Sequence, residues 1–149
     1  MPGGESTSIS NLLKTSGMKN AIMEGCNQGL PLWGTCAGLI LISNEVQEKS
    51  PIPLKLLDVS TSRNYYGRQI DSFIEYIDFD NYSYEGVFIR APAITKIGKK
   101  IIVLAKSKND SPVAVRGGSI LGTTFHPELT DDLRIHSYFL NMIKERKKN

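Results

Sequence analysis

The sequence predicts an α/β domain with an antiparallel corner, and three observations lead to this prediction. An apolar run, a Gly-x-Cys-x-Gly turn and a second apolar run follow one another over residues 30–42, as expected of a strand that bends sharply into a helix. Apolar residues recur at helical spacing near both ends of the chain. Asn109-Asp110 and Gly117-Gly118 separate three strand-like segments, which indicates consecutive hairpins.

The composition is that of an ordinary globular protein, and we expect one domain over residues 1–149. The chain is 40% hydrophobic and 22% charged, with a formal net charge of +3. Much of that charge lies in residues 144–149, a run typical of a solvated helix end. Basic residues do not alternate with aromatic ones through the domain, so nothing indicates nucleic-acid binding. We see no membrane-spanning stretch and no secretory signal, and we expect a cytoplasmic protein.

Four helices are predicted. Ser6 or Thr7 caps a first helix that ends near Gly17, and a second helix spans residues 18–27. A third helix leaves the turn over residues 37–46, and the last follows a cap at residues 130–132.

Strands alternate with polar connections through the middle of the chain. The segments with strand character are residues 56–62, 70–77, 87–91, 101–106, 113–116 and 119–125. Residues 63–69 are polar and contain glycine, which predicts a turn with several exposed hydrogen-bonding side chains. Arg68 within that turn is expected to form only a surface ion pair, and residues 78–85 are expected to form a surface loop.

Cys36, at the centre of the Gly-x-Cys-x-Gly turn, is the candidate nucleophile. Gly34 and Gly38 would let the strand and the helix approach closely around a strained residue. The N–H groups at the start of the helix would favour a thiolate. The alternative is a small buried core thiol, a common fate of cysteine. Two flanking glycines exceed what packing requires and favour the nucleophile. Cys26, four residues after Ile22 on one helix face, is expected to be a core thiol.

His126 and Glu128 are the candidate base and its orienting carboxylate. Residues two apart in an extended backbone point the same way, so Glu128 could hold the imidazole of His126 while that ring faces a reacting group. The alternative is that His126 is a hydrogen-bonded surface residue. The Gly-x-Cys-x-Gly turn in the same chain favours the catalytic interpretation. His136 has no thiol or carboxylate at a suggestive spacing and is expected to be structural. The two histidines and two cysteines are not spaced as a zinc site.

A nucleophile of this kind also needs donors for the oxyanion of its tetrahedral intermediate. The N–H of Ala37, directly after the cysteine, is the natural first donor. The pair Gly3-Gly4, whose backbone can approach a ligand without obstruction, is a second candidate source.

Five motifs resemble those of a known family. Residues 2–7 (Pro-Gly-Gly-Glu-Ser-Thr), 33–38 (Trp-Gly-Thr-Cys-Ala-Gly) and 125–129 (Phe-His-Pro-Glu-Leu) resemble the signatures of class I glutamine amidotransferases. Residues 63–73 (Arg-Asn-Tyr-Tyr-Gly-Arg-Gln-Ile-Asp-Ser-Phe) and 88–92 (Phe-Ile-Arg-Ala-Pro) resemble the glutaminase subunit of pyridoxal 5'-phosphate synthase, the SNO/PdxT family. The motifs occur in the order found in that family.

The resemblance implies a three-layer α/β/α fold of flavodoxin-like type, with a mainly parallel sheet. It implies that Cys36 attacks the side-chain amide of L-glutamine, that His126 moves the proton and that Glu128 orients His126. No cofactor or metal is implied. The residues implied to bind glutamine are Gly4, Glu5, Ser6, Arg63, Ile89 and Arg90, with Gly4 also in the oxyanion hole. Either arginine could bind the substrate carboxylate through paired charge-assisted bonds.

The resemblance also implies a partner, the (β/α)8-barrel synthase subunit, which uses the ammonia to build pyridoxal 5'-phosphate. Family members open with a strand-helix-strand unit ahead of Pro-Gly-Gly, a unit of ~30 or more residues that this sequence does not contain, so we expect an N-terminally truncated domain. Two alternatives follow. The chain could be an idle subunit that binds the synthase without turnover, or the glutaminase partner of another biosynthetic enzyme, such as one making an imidazole or a nucleotide.

Overall fold

The computed structural model describes residues 1–63 and 72–146. The predicted turn from position 64 onward, including Arg68, lies outside the described residues, as do the first two residues of the predicted strand 70–77 and the last three of the basic tail. The helices of the described ranges are α1 (Ser6–Thr15), α2 (Met18–Asn27), α3 (Ala37–Ile42) and α4 (Arg134–Arg146). The strands are β1 (Leu32–Thr35), β2 (Ser43–Val46), β3 (Leu57–Ser62), β4 (Ser72–Phe79), β5 (Tyr82–Ile89), β6 (Ala93–Ile97), β7 (Ile102–Lys106), β8 (Pro112–Gly117) and β9 (Ile120–Thr123).

The described strands form two mixed sheets. The larger has the order β1-β9-β8-β7-β4-β5, and the smaller has the order β2-β3-β6. Strands β1 and β9 are parallel, with Thr35 opposite Thr123, and β2 is parallel to β3. The other ladders are antiparallel. The α/β class is confirmed. Parallel pairing, expected to predominate, is confined to two ladders of the described strands, because the long β4–β5 hairpin extends the larger sheet beyond the expected antiparallel corner.

Helices cover both faces of the larger sheet. On one face Trp33 and Leu121 pack in the cluster that contains Ile135 of α4. On the other face a Cβ added at Gly122 would lie 2.6 Å from Leu39 of α3. Successive residues of a strand point to opposite faces, so α3 and α4 lie on opposite sides of the sheet. This is the helix-sheet-helix layering that the family resemblance implies.

Helix α3 is shorter than predicted. It ends at Ile42 rather than near residue 46, because Ser43 adopts an extended conformation with ψ 161°. The Ser43 hydroxyl donates to the Ile40 carbonyl at 2.8 Å. Residues Ser43–Val46 then pair with β3 as the strand β2. Strand β6 was not predicted either.

The predicted surface loop at residues 78–85 is wrong, because these residues form the closed end of the β4–β5 hairpin. Asp80 and Asn81 make the turn with φ values of 56° and 64°. Asp and Asn tolerate this left-handed region, which two-residue hairpins favour.

Two smaller expectations also need correction. The N-cap of α1 is Glu5, whose carboxylate accepts from backbone N–H groups, rather than Ser6 or Thr7. Cys26 is only half-buried, because α2 packs against α1 and buries none of its residues fully.

Gly34 and Gly38 allow β1 and α3 to touch. A Cβ at Gly34 would lie 2.7 Å from the backbone of Gly38, closer than real Cβ atoms approach. A Cβ at Gly38 would clash with the carbonyl of Met1, which itself accepts from Thr35 N at 3.0 Å. The turn between strand and helix therefore has no room for a side chain at either glycine.

We predict that Gly34→Ala lowers the free energy of unfolding by about 2 kcal/mol, because the backbone of α3 must move to admit the methyl group. Urea denaturation measures the change. Gly25→Ala is the matched control, since its Cβ would meet only the movable side chain of Leu30, and we expect no loss there. Equal stability of Gly34→Ala and the unsubstituted protein would contradict the close-packing account.

Candidate active site

Cys36 lies at the bend between β1 and α3 in a strained backbone conformation. Its φ is 49° and its ψ is −107°, a region that non-glycine residues rarely occupy. The Cys36 N–H donates to the Thr123 carbonyl at 2.9 Å, and the Cys36 carbonyl accepts from Ile40 N at 3.2 Å. A neighbouring strand and the first turn of α3 therefore hold the strained residue from both sides, as the Gly-x-Cys-x-Gly pattern predicts.

The Cys36 side chain is buried, and its thiol is held by a carbonyl oxygen. Cys36 is 6% exposed, and its Sγ donates to the Ile89 carbonyl at 3.8 Å. Burial raises the pKa of the Cys36 thiol to about 11, an effect that the Ala37 N–H opposes and the Glu128 carboxylate reinforces. The predicted preference for a thiolate is therefore wrong for this conformation, because burial outweighs the start of the helix.

His126 and Glu128 form a close pair beside the bend. His126 Nδ1 lies 2.7 Å from Glu128 Oε1. The backbone N–H of His126 donates to the Val87 carbonyl at 2.8 Å. An ionised carboxylate only accepts hydrogen bonds, so we assign the Nδ1 proton to the imidazole and leave Nε2 as the basic atom. The pair does not lie on an extended strand as expected, because β9 ends at Thr123 and a 3₁₀ turn spans Pro127–Leu129.

Gly3 lies close to both His126 and Cys36. A Cβ added there would be 2.5 Å from His126 Cε1 and 3.5 Å from Cys36 Cβ, so the imidazole and the cysteine flank the same stretch of backbone. The His126 imidazole is hydrogen-bonded to Glu128, and the Cys36 thiol is hydrogen-bonded to the Ile89 carbonyl. Among the described residues, no hydrogen bond joins the thiol to the imidazole. Catalytic hydrogen bonds are often unmade in the absence of substrate.

One cleft of about 510 Å³ collects most of the predicted site residues. It is lined by Gly4, Glu5, Ser6, Cys36, Ala37, Ile40, Arg63, Ile89, Arg90 and His126. Glu128 does not line the cleft and reaches it only through His126. Ile40 was not predicted, although its place one turn after Cys36 was a usable signal. Gly3 was expected only as a source of oxyanion donors, and its packing against the imidazole was not anticipated.

The cleft holds charges of both signs. The Glu5 carboxylate accepts from Ser8 N at 2.7 Å and Thr7 N at 3.1 Å, and these donors lower the pKa of Glu5 to about 2. Arg63 Nη2 lies 3.1 Å from Glu5 Oε1. Arg90 follows the end of β5 with a left-handed φ of 43°.

Ser6 brings a polar atom to the cleft that lacks a protein partner. The residue is 2% exposed, and its hydroxyl makes no hydrogen bond within the described part of the chain. Buried hydroxyl groups are normally satisfied, so the Ser6 hydroxyl is an unsatisfied polar group beside the cleft within the described residues.

Metal-binding and membrane-spanning features are absent from residues 1–63 and 72–146. No group of three or more His, Cys, Asp or Glu side chains in these ranges is arranged to hold a metal ion. No helix among them has the length and apolar character needed to cross a membrane. His136 packs edge-on against Trp33, with ring centroids 5.1 Å apart, in keeping with a structural role.

Comparison with known proteins shows the family of the chain. Residues 1–145 match the SNO glutamine amidotransferase family. The chain is 45% identical over 147 residues to "Pyridoxal 5'-phosphate synthase subunit PdxT" of Thermotoga petrophila, covering 97% of this chain and 78% of that protein. It is 49% identical over 149 residues to the protein of the same name from Dictyoglomus turgidum, with the same coverage.

Solved structures give the same result. A crystal structure of a glutamine amidotransferase superposes with a TM-score of 0.88 at 41% identity, covering 95% of this chain and 76% of that one. A more distant glutamine amidotransferase from Thermotoga maritima, at 15% identity and a TM-score of 0.56, shares the fold over 99% of this chain and 63% of that one. With the family match spanning nearly every residue, the chain belongs to the SNO glutamine amidotransferase family.

Proposed function

We propose that this chain is the glutaminase subunit of a pyridoxal 5'-phosphate synthase and that it hydrolyses L-glutamine to glutamate and ammonia in the cytoplasm. The family membership and the name carried by its relatives support the biosynthetic assignment. The observation that carries the chemistry is the cleft itself, where a strained cysteine, the imidazole of a His–Glu pair and charges of both signs meet.

The proposed reaction uses Cys36, His126 and Glu128 as a triad. His126 Nε2 takes the thiol proton, and Sγ attacks the side-chain amide carbon of glutamine. The Ala37 N–H and the backbone at Gly4 stabilise the oxyanion. His126 then returns the proton to the leaving nitrogen, the C–N bond breaks, and ammonia departs. Water hydrolyses the resulting γ-glutamyl thioester to glutamate and restores the thiol.

The buried, neutral thiol gives His126 a definite task in this scheme. With the pKa of Cys36 raised to about 11, very little thiolate exists at neutral pH. The thiol must also leave the Ile89 carbonyl before it can meet the imidazole. Proton transfer to His126 therefore accompanies the attack, and the carboxylate of Glu128 stabilises the imidazolium that forms.

Substrate recognition is proposed to use the charged rim of the cleft. Glutamine is a zwitterion, so a site for it needs an anion for the α-ammonium group and a cation for the α-carboxylate. Glu5 supplies the anion, and the guanidinium groups of Arg63 and Arg90 supply the cation. Ser6 and Ile89, which also line the cleft, complete the proposed pocket.

The ammonia is proposed to pass to a (β/α)8-barrel synthase subunit, which builds it into pyridoxal 5'-phosphate. We expect glutamine hydrolysis to be slow for the isolated chain and to rise when that subunit is added, because the resting thiol donates to the Ile89 carbonyl and makes no hydrogen bond to His126 among the described residues.

The assignment is tested by ammonia release from glutamine in the presence of the synthase subunit. We predict that Cys36→Ala abolishes release while circular dichroism and melting temperature stay close to those of the unsubstituted chain, since thiol-to-methyl is a small change in volume. Cys26→Ala is the matched control and should retain full activity, because Cys26 lies on α2 away from the cleft.

Other outcomes of the same experiment separate the alternatives. Binding to the synthase without ammonia release would identify an idle subunit and overturn the glutaminase assignment. Ammonia release that responds to a different biosynthetic enzyme, recovered as the bound partner, would replace the pyridoxal 5'-phosphate assignment and keep the chemistry.

Glu128→Gln tests the orienting role separately. A glutamine at this position can donate to Nδ1 and favour the wrong tautomer, so we predict that kcat falls about 10²-fold, within the range of general acid–base effects. The KM for glutamine should change little, because Glu128 does not line the cleft. Steady-state kinetics of the complex measure both constants, and an unchanged kcat would remove Glu128 from the mechanism.

A further inference from the structure

Arg63 is the first residue after the end of strand β3. Strand β3 ends at Ser62, which is the last residue of the ladder with β6. The backbone N–H of Arg63 therefore lies beyond the regular hydrogen bonds, although its side chain lines the cleft. A long, flexible side chain on an unsupported backbone would bind a substrate poorly, because its position must be fixed when the substrate binds.

Glu48 supplies the missing support. Its Oε1 accepts from Arg63 N at 2.8 Å and from the Ser62 hydroxyl at 3.1 Å. The donors are the last residue of β3 and the residue directly after it, and Ser62 is buried. A carboxylate that accepts from a backbone N–H makes a stronger hydrogen bond than a neutral acceptor.

The segment after β2 that contains Glu48 also binds the guanidinium group of Arg63. Two residues after Glu48, the carbonyl of Ser50 accepts from Arg63 Nη1 at 3.0 Å. The Glu5 carboxylate accepts from Arg63 Nη2 at 3.1 Å. Within the described residues, one short segment after β2 therefore contacts both the backbone and the guanidinium of Arg63.

We propose that Glu48 is a positioning residue, which holds Arg63 in the orientation needed to bind the α-carboxylate of glutamine. Glu48 itself does not line the cleft, and its effect on glutamine binding is inferred to pass through Arg63. The inference rests on the proposed function in one respect, namely that Arg63 belongs to the glutamine pocket.

The kinetic test compares three variants in complex with the synthase subunit. Glu48→Ala should raise the KM for glutamine about tenfold and leave kcat close to its original value, as expected when one charge-assisted hydrogen bond that orders a binding group is lost. Glu48→Gln keeps a carbonyl oxygen for both donors and should restore KM to within about twofold of its original value.

Glu45→Ala is the matched control. Glu45 lies on β2 and accepts from the Ser60 hydroxyl at 2.9 Å, so it also links this edge to β3, but it makes no hydrogen bond to Arg63. We expect its KM to be unchanged. An unchanged KM in Glu48→Ala, an equal rise in Glu45→Ala, or failure of Glu48→Gln to restore binding would each overturn the proposal.

A second readout does not depend on activity. Phenylglyoxal modifies exposed arginine side chains, and mass spectrometry of the digested chain follows the modification of Arg63 alone. Arg63 should react several-fold faster in Glu48→Ala than in Glu48→Gln or Glu45→Ala. If the unsubstituted complex releases no ammonia, the proposed function fails, while the rate of Arg63 modification still decides the positioning role. Equal rates in all variants would refute it.

Discussion

The close contact between β1 and α3 is the constraint on which the site depends. Without side chains at Gly34 and Gly38, the strand and the helix approach until Cys36 is forced into a left-handed conformation. Such strain persists only where the surroundings over-determine it. Here the Thr123 carbonyl and the first turn of α3 do so.

The remaining site groups come from segments that are distant in sequence and share no regular element. Gly3 and Glu5 precede α1, Arg63 follows β3, and Ile89 ends β5. They meet because strand ends and helix starts converge beside the bend, where backbone groups are not used by the ladders. The same convergence leaves backbone groups that side chains must satisfy, and this explains why carboxylates such as those of Glu5 and Glu48 accept from main-chain N–H groups.

The chemistry-bearing residues were predictable because each is tied to a local pattern. Cys36 is marked by its flanking glycines, and the spacing of His126 and Glu128 puts them within reach of each other whether the backbone is a strand or, as found, a 3₁₀ turn. What the sequence could not reveal depends on long-range packing. The raised pKa of Cys36 follows from burial and from the nearby Glu128, which no local pattern encodes. Strand β2 looked like a continuation of α3, because only its pairing with β3 makes it a strand.

We expect a bound glutamine to reach Cys36, although the residue is buried and the pKa of its thiol is raised. A diazoketone analogue of glutamine tests this most directly, since it needs both a formed substrate pocket and a nucleophile to react. In the synthase complex, peptide mapping should find the label on Cys36, with excess glutamine preventing it and the more exposed Cys26 unlabelled. Labelling of Cys26 instead, or labelling of Cys36 that glutamine does not prevent, would contradict the account.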